Sequence, residues 1–167
     1  GMWVMPGFVD MHCHLREPGQ EYKEDIATGT LSAAYGGFTA VACMPNTSPV
    51  NDNEMVTRFI LERARETASA RVYPIAAITK GLKGAELTEF GILLQNGAVA
   101  FSDDGRPVED ANRMRLALQY AKGFDTLLIS HCEDLSIAGQ GAMNEGVTSA
   151  LCGLKGISRA AEEVMLA

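Results

Sequence analysis

The sequence is poor in several things at once: histidine, paired cysteine, basic clusters and long apolar runs. Only three histidines, His12, His14 and His131, occur in its 167 residues. No apolar run approaches the ~20 residues that a membrane-spanning helix needs, and the first residues do not read as a secretory signal peptide. Basic residues number 14 against 21 acidic ones, with a net charge of −7 and a pI near 4.9. A nucleic-acid surface depends on clustered Lys and Arg, and no basic stripe is present, so neither nucleic acid nor membrane is an expected partner.

The cysteines Cys13, Cys43, Cys132 and Cys152 form no CxxC pair. Three lie in strand-like runs, where a thiol acts as a small buried hydrophobe. A disulfide framework is therefore not expected, and a reducing, cytoplasmic compartment is. The hydrophobic content of 47% against 21% charged residues fits a globular chain with a real core.

What is present is alternation. Apolar strand-like runs cover residues 7–15, 39–46, 71–79, 98–103 and 126–131, and helix-period segments cover 27–35, 52–68, 86–95 and 109–122. Asn51 with Glu54 is expected to form a capping box for the 52–68 helix, with Val56, Phe59, Ile60 and Arg63 on one face. Glu62, Arg63, Arg65 and Glu66 read as a solvated face. Met114, Leu118 and Ala121 mark the inner side of the 109–122 helix, with Gly123 as its C′ residue. The Gly-rich stretch 139–156 reads as a loop.

Strand–helix alternation at this pitch implies βαβ units and a parallel sheet, and near-continuously apolar strands imply a sheet covered on both faces. A doubly wound open sheet and a (β/α)8 barrel both satisfy this. The polar residues favour the barrel: His12 to Arg16, Asn46, Asp103/Asp104 and His131 sit at the C-terminal ends of several different strands, where barrel sites are built. An open sheet would centre on one switch point, and no GxGxxG follows the first strand. About five strands can be counted, so the expected fold is α/β, a partial (β/α)8 TIM barrel over residues 1–167 holding roughly the first five of eight units.

The segment "PGFVDMHCHLREPG" places Asp10, His12, His14 and Arg16 at every second position. Residues i and i+2 of a strand point the same way, so two imidazoles could converge on one metal ion. Asp10 could fix an imidazole tautomer, and the Arg16 fork would suit a substrate carboxylate. His131 ends another apolar strand and Asp103-Asp104 a third. Imidazole plus carboxylate favours Zn²⁺, with Mn²⁺, Co²⁺ or Fe²⁺ able to bind the same set. Parity does not choose between Asp103 and Asp104.

The motifs "PGFVDMHCHLREPG", "MPNTSP", "FSDDG", "HCED" and "MNEG" together resemble the amidohydrolase superfamily and, within it, the class I (bacterial-type) dihydroorotases. Hydantoinases and allantoinases share the HxH strand but bridge two metals with a carboxylated lysine on the fourth strand. Here Asp103-Asp104 stands in that place. The resemblance implies one or two Zn²⁺ ions, with His12 and His14 on the first, Asp104 bridging and His131 on the second. It implies that Arg16 and Asn46 hold the carboxylate of dihydroorotate or N-carbamoyl-L-aspartate, interconverted by cyclic-amide hydrolysis in pyrimidine biosynthesis. Asp103 is expected in a turn or capping role, and Glu133 and Asp134 as caps or supporting acceptors.

The resemblance also implies a general acid/base aspartate on an eighth strand and a further metal histidine on a sixth, both outside these residues. The chain alone is therefore expected to bind metal weakly and not to turn over. Its open sheet edges call for a second copy, a partner chain or a missing C-terminal segment. Two alternatives stand beside this reading: a non-catalytic dihydroorotase-like scaffold for aspartate transcarbamoylase, and another cyclic amidase such as an allantoinase or dihydropyrimidinase. The intact histidines and Asp104 favour catalysis.

Overall fold

A computed structural model describes residues 3–167. Strands and helices alternate as β1 (Phe8–Cys13), α1 (Ile26–Tyr35), β2 (Phe38–Cys43), α2 (Glu54–Thr67), β3 (Arg71–Ala76), α3 (Phe90–Gln95), β4 (Ala100–Ser102), α4 (Ala111–Lys122) and β5 (Leu127–Ile129). The five strands form one all-parallel sheet in the order β1-β2-β3-β4-β5. Consecutive parallel strands linked by helices are the repeat from which a (β/α)8 barrel is made.

Side chains alternate between two apolar regions, as the strand period requires. Val41, Cys43 and Val72 pack outward with Leu15, Ile26, Val56 and Ile60 under α1 and α2. Ala76 and Phe101 pack outward with Phe90, Leu93, Ala117 and Ala121 under α3 and α4. Phe90 stacks on Phe101 with centroids 4.0 Å apart, and on Tyr120 at 4.8 Å. The inner face holds Met44, Ile75 and Ala100, flanked by Ala42 and Ile129.

Helix starts follow their capping chemistry. Asp25 accepts from Thr28 N at α1, Asn53 from Met55 N and Val56 N at α2, and Asp110 from Asn112 N and Arg113 N at α4. Asn53 therefore caps α2, not Asn51 as the sequence pattern suggested. Asn51 is fully buried instead: its Nδ2 donates to Ile75 O at 2.9 Å and its Oδ1 accepts from Thr57 Oγ1 at 2.7 Å. On α2 Val56 and Ile60 are buried while Phe59 is exposed, and on α4 the inner residues are Ala117 and Ala121 while Leu118 is exposed. Gly123 keeps a right-handed conformation, and the left-handed turn after α4 falls on Asp125.

Beyond β5 the chain forms α5 (Leu135–Ala138), β6 (Met143–Asn144), α6 (Val147–Cys152), β7 (Gly156–Ile157) and α7 (Ala160–Leu166). The 139–156 stretch is thus not simply a loop: β6 and β7 pair in parallel around α6. Elements this short carry little periodicity, which is why the sequence pattern concealed them. Asp134 caps α5, accepting from Ser136 N and Ile137 N, and its own N–H donates to Ala161 O at 2.7 Å.

Within the five-stranded sheet β1 and β5 each have one neighbour. Phe8, Val9 and Met11 of β1 and Leu127 of β5 are exposed. All four cysteines are free, and no helix among the described residues is long and apolar enough to cross a membrane.

Candidate metal centre

In sheet order β1 and β4 are third neighbours. A flat sheet would hold them roughly 14 Å apart, at ~4.8 Å per strand. Here His12 Nε2 lies 3.0 Å from Asp104 Oδ1, and His14 Nε2 lies 3.5 Å from Asp104 Oδ2. The sheet is curled, and the curl brings the C-terminal ends of distant strands to one point. His12, His14 and Asp104 offer ligand atoms that all lie within 4.8 Å of one another. Two imidazole nitrogens and a carboxylate oxygen form a donor set suited to a divalent transition metal.

Asp104 is 7% exposed and His14 29%, whereas His12, on the edge strand, is 51% exposed. Strand parity explains why Asp104 and not Asp103 faces the imidazoles. Asp104 shares the parity of Ala100, which lies on the inner face, and Asp103 that of Phe101, which packs outward. Asp103 accepts from Thr79 N at 2.9 Å and from Thr79 Oγ1, pinning the loop after β3 to the end of β4. Burial raises its carboxyl above the ordinary range, and the Thr79 hydrogen bonds oppose that rise. It takes the expected turn role, with Arg106 N donating to Asp103 O at 3.0 Å, while its side chain ties in the loop after β3 and caps no helix.

Asn46 joins the cluster from the loop after β2. Its Nδ2 donates to Asp104 Oδ2 at 2.9 Å, and its Oδ1 lies 3.0 Å from His14 Nδ1. A carboxylate only accepts, so the amide nitrogen must face Asp104 and the amide oxygen must face His14. Nδ1 of His14 is then the donor, so in the neutral imidazole the lone pair falls on Nε2, the nitrogen that faces Asp104. This is the tautomer a metal requires of that nitrogen.

The sequence pattern assigned tautomer control to Asp10, and the structure does not. Asp10 pairs with Val41 and Cys13 with Cys43, three steps on β1 against two on β2. This irregularity shifts the parity between Asp10 and the histidines. Asp10 accepts from the His12 backbone N–H at 2.9 Å and forms no hydrogen bond to an imidazole. Its charge adds to burial in pushing the Cys13 thiol up to about 12; Cys43 beside it is also raised to about 12, chiefly by burial.

His131 follows β5 and stands slightly apart. Its Nδ1 is 3.9 Å from Asp104 Oδ1, and its Nε2 is 3.3 Å from Glu133 Oε2. It adjoins the cluster without belonging to the three-residue group. Arg16 opens the loop after β1 with a left-handed backbone, φ 60°. The loop after β2 lies close against it: Ser48 N donates to Pro18 O at 3.0 Å and Gln20 Nε2 to Asn46 O at 3.1 Å. Gly19, at φ 90°, is required here, because a Cβ would stand 1.8 Å from Ser48 O.

Sequence reasoning missed Glu17 and Arg63. Glu17 is only 6% exposed and accepts from Arg63 Nε at 2.8 Å, so Arg63 is not merely part of a solvated face. The buried Glu17 also accepts from Ile26 N at 2.9 Å. A glutamate directly after a strand-end arginine gave no periodic signal that could have found it.

The dihydro-orotase-like family model matches residues 1–167, the whole chain. The chain belongs to the dihydro-orotase-like family. Among curated relatives, a dihydroorotase from Syntrophobacter fumaroxidans is 61% identical over 165 residues, covering 99% of this chain and 38% of that protein. A dihydroorotase from Acetivibrio thermocellus is 59% identical over 167 residues, covering 100% of this chain and 39% of its own length. The chain thus spans about two fifths of the length of these dihydroorotases. Among solved structures, the L-hydantoinase (dihydropyrimidinase) from Arthrobacter aurescens matches with a TM-score of 0.70 at 20% identity, over 80% of this chain and 31% of that one. That likeness is one of fold: the half barrel of this chain follows part of the hydantoinase fold.

Proposed function

We propose that this chain supplies the first part of a zinc-dependent dihydroorotase centre, which interconverts dihydroorotate and N-carbamoyl-L-aspartate in pyrimidine biosynthesis. The observation that carries this reading is the convergence of His12, His14 and Asp104, whose ligand atoms lie within 4.8 Å of one another. The relatives named dihydroorotase support it, and the Asp104 position favours it over a hydantoinase-like reading with a lysine there.

The residues present fit a metal: two nitrogens and a carboxylate face one another, and Asn46 holds His14 in the binding tautomer. His12, His14 and Asp104 would hold one ion, with Asp104 shared toward a second on the His131 side. A bound zinc ion supplies Lewis acidity and an activated water at neutral pH. The chain's own part is to hold the substrate. Arg16 offers a guanidinium fork for the carboxylate. Asn46 retains one amide N–H beyond that given to Asp104, enough for a second hydrogen bond to the same carboxylate. Anchoring the far end in this way orients the scissile ring amide.

Proton delivery to the departing nitrogen needs a general acid/base. The resemblance places it on a later strand, so turnover belongs to a longer polypeptide, with three further barrel strands completing the five-stranded sheet. The open β1 and β5 edges support pairing with such a segment or with a second copy. Association with aspartate transcarbamoylase rests on the resemblance alone. Four free thiols support a reducing, cytoplasmic setting.

The test is a pair of assays on the intact polypeptide, metal content and ring closure of N-carbamoyl-L-aspartate. Bound zinc with ring closure is expected; a metal-free, inactive protein would favour a scaffold. The 167-residue chain alone is expected to bind zinc weakly and not to turn over. Hydrolysis of dihydroorotate by it at an ordinary enzymatic rate would contradict the account.

A further inference from the structure

Arg16 is held in an unusual conformation. Its φ is 60°, and Glu17 N donates to Leu15 O at 2.7 Å, so Arg16 is the middle residue of a three-residue γ-turn. L-residues with side chains seldom adopt that backbone, and they keep it only where their surroundings over-determine it. The flanking residues supply the constraint. Leu15 is 5% exposed and packs with Ile26, Val41 and Val56. Glu17 is 6% exposed, and its two oxygens have separate partners: Oε1 accepts from Arg63 Nε on α2, and Oε2 from Ile26 N at the start of α1.

A buried ion pair is a weak source of stability, because apolar residues of similar volume often serve as well or better. What this pair does is geometric. It fastens the residue after Arg16 to two helices at once. On the other side of Arg16, Gln20 N donates to Arg16 O at 3.0 Å, and Gln20 Nε2 reaches Asn46 O. The Arg16 guanidinium itself has no ion-pair partner among the described residues.

We propose that Glu17, anchored by Arg63 and the first amide of α1, is a positioning residue that fixes Arg16 in the turn from which it binds the substrate carboxylate. This rests on the reading of Arg16 as the carboxylate clamp. The Glu17 carboxylate is buried on Arg63 and Ile26 and bonds to none of the candidate metal ligands; it acts through the backbone of its neighbour.

The experiment is steady-state kinetics on the intact polypeptide with dihydroorotate, together with zinc content, for Arg16→Met, Glu17→Gln, Arg63→Met and Arg63→Lys. Arg63 is 37% exposed and Glu17 only 6%, so Arg63→Met strands a buried charge. Arg63→Lys and the Glu17→Gln, Arg63→Met double variant keep the site paired or neutral and carry the test where a single variant folds poorly. Arg63→Met is expected to raise KM about tenfold with kcat within about threefold of the parent and zinc unchanged, as for a lost orienting interaction. Arg63→Lys, which keeps a cation for Glu17, recovers part of that loss. Glu17→Gln and Arg63→Met combined do no more harm than the worse single change. If Arg16→Met raises KM while Arg63→Met and Glu17→Gln leave it unchanged, the positioning role is wrong and the clamp stands. If Arg16→Met leaves KM unchanged, the clamp reading fails and this inference fails with it. Loss of zinc and kcat at constant KM in Arg63→Met would likewise overturn it.

Discussion

Asn46 donates to Asp104 across 58 residues of sequence, Nδ2 to Oδ2 at 2.9 Å, while its amide oxygen faces His14 Nδ1 at 3.0 Å. One side chain therefore orients two of the three candidate ligands. Replacing Asn46 by Ala frees the His14 ring and leaves one Asp104 oxygen without its donor. Zinc affinity is expected to fall by roughly 10–100-fold, the usual cost of losing such a supporting contact. Competition with a chromophoric chelator measures it; unchanged affinity would mean that the tautomer is set elsewhere.

The adjacent aspartates separate cleanly. Asp104 faces the histidines, whereas Asp103 is tied to Thr79. Asp104→Asn removes the only carboxylate of the three-residue group, and stoichiometric zinc is expected to be lost. Asp103→Asn keeps its shape and one acceptor for Thr79 N, so zinc is expected to be retained. Metal analysis after gel filtration decides between them.

The two asparagines before α2 predict different losses. Asn53 accepts from Met55 N and Val56 N at the helix start, so Asn53→Ala is expected to cost about 1 kcal/mol. Asn51 is buried, and its removal takes the side-chain donor from Ile75 O and the nearer acceptor from Thr57 Oγ1, which keeps only a 3.3 Å bond to Asn53 O. At roughly 1–3 kcal/mol for each unsatisfied group, Asn51→Ala is expected to cost more than the cap. Denaturant titration of both variants ranks them.

The cap of α1 carries a pH signature. The Thr28 backbone N–H, followed by the Thr28 hydroxyl, holds the Asp25 carboxyl below its ordinary value of 3.8. A carboxyl lowered in the folded state contributes stability that is present above the unfolded value and lost as pH falls through the folded one. Melting curves of the parent and Asp25→Asn, an uncharged cap, are expected to differ by a constant margin above pH ~5. The parent then loses ground to the variant as pH drops below 3.8. A margin independent of pH would show that the carboxylate contributes nothing through its charge.

Much of this arrangement was legible in the residues. Apolar runs placed all five strands of the main sheet, and polar residues at their C-terminal ends marked the site before any geometry was known. What stayed hidden shares a physical cause: it depends on interactions that do not repeat along the chain. An extra residue in β1 broke the period-two pattern and removed Asp10 from the imidazoles. Asn51 and Asn53 both carry cap-like amides, and only the packing of β3 against α2 shows which one is buried. The Glu17–Arg63 pair joins a loop to a helix 46 residues away, beyond any local pattern. The choice between Asp103 and Asp104 depended on which face of β4 turned inward, and a strand of three residues fixes that only through its neighbours.

The account stands or falls on His12, His14 and Asp104 sharing one cation. The direct measurement is anomalous diffraction at the zinc edge from crystals of the intact, zinc-loaded polypeptide. The account predicts a peak within bonding distance of both imidazoles and the Asp104 carboxylate, at roughly 2.0–2.2 Å. A zinc peak bound elsewhere, with these three side chains still in direct contact and no ion between them, would contradict it.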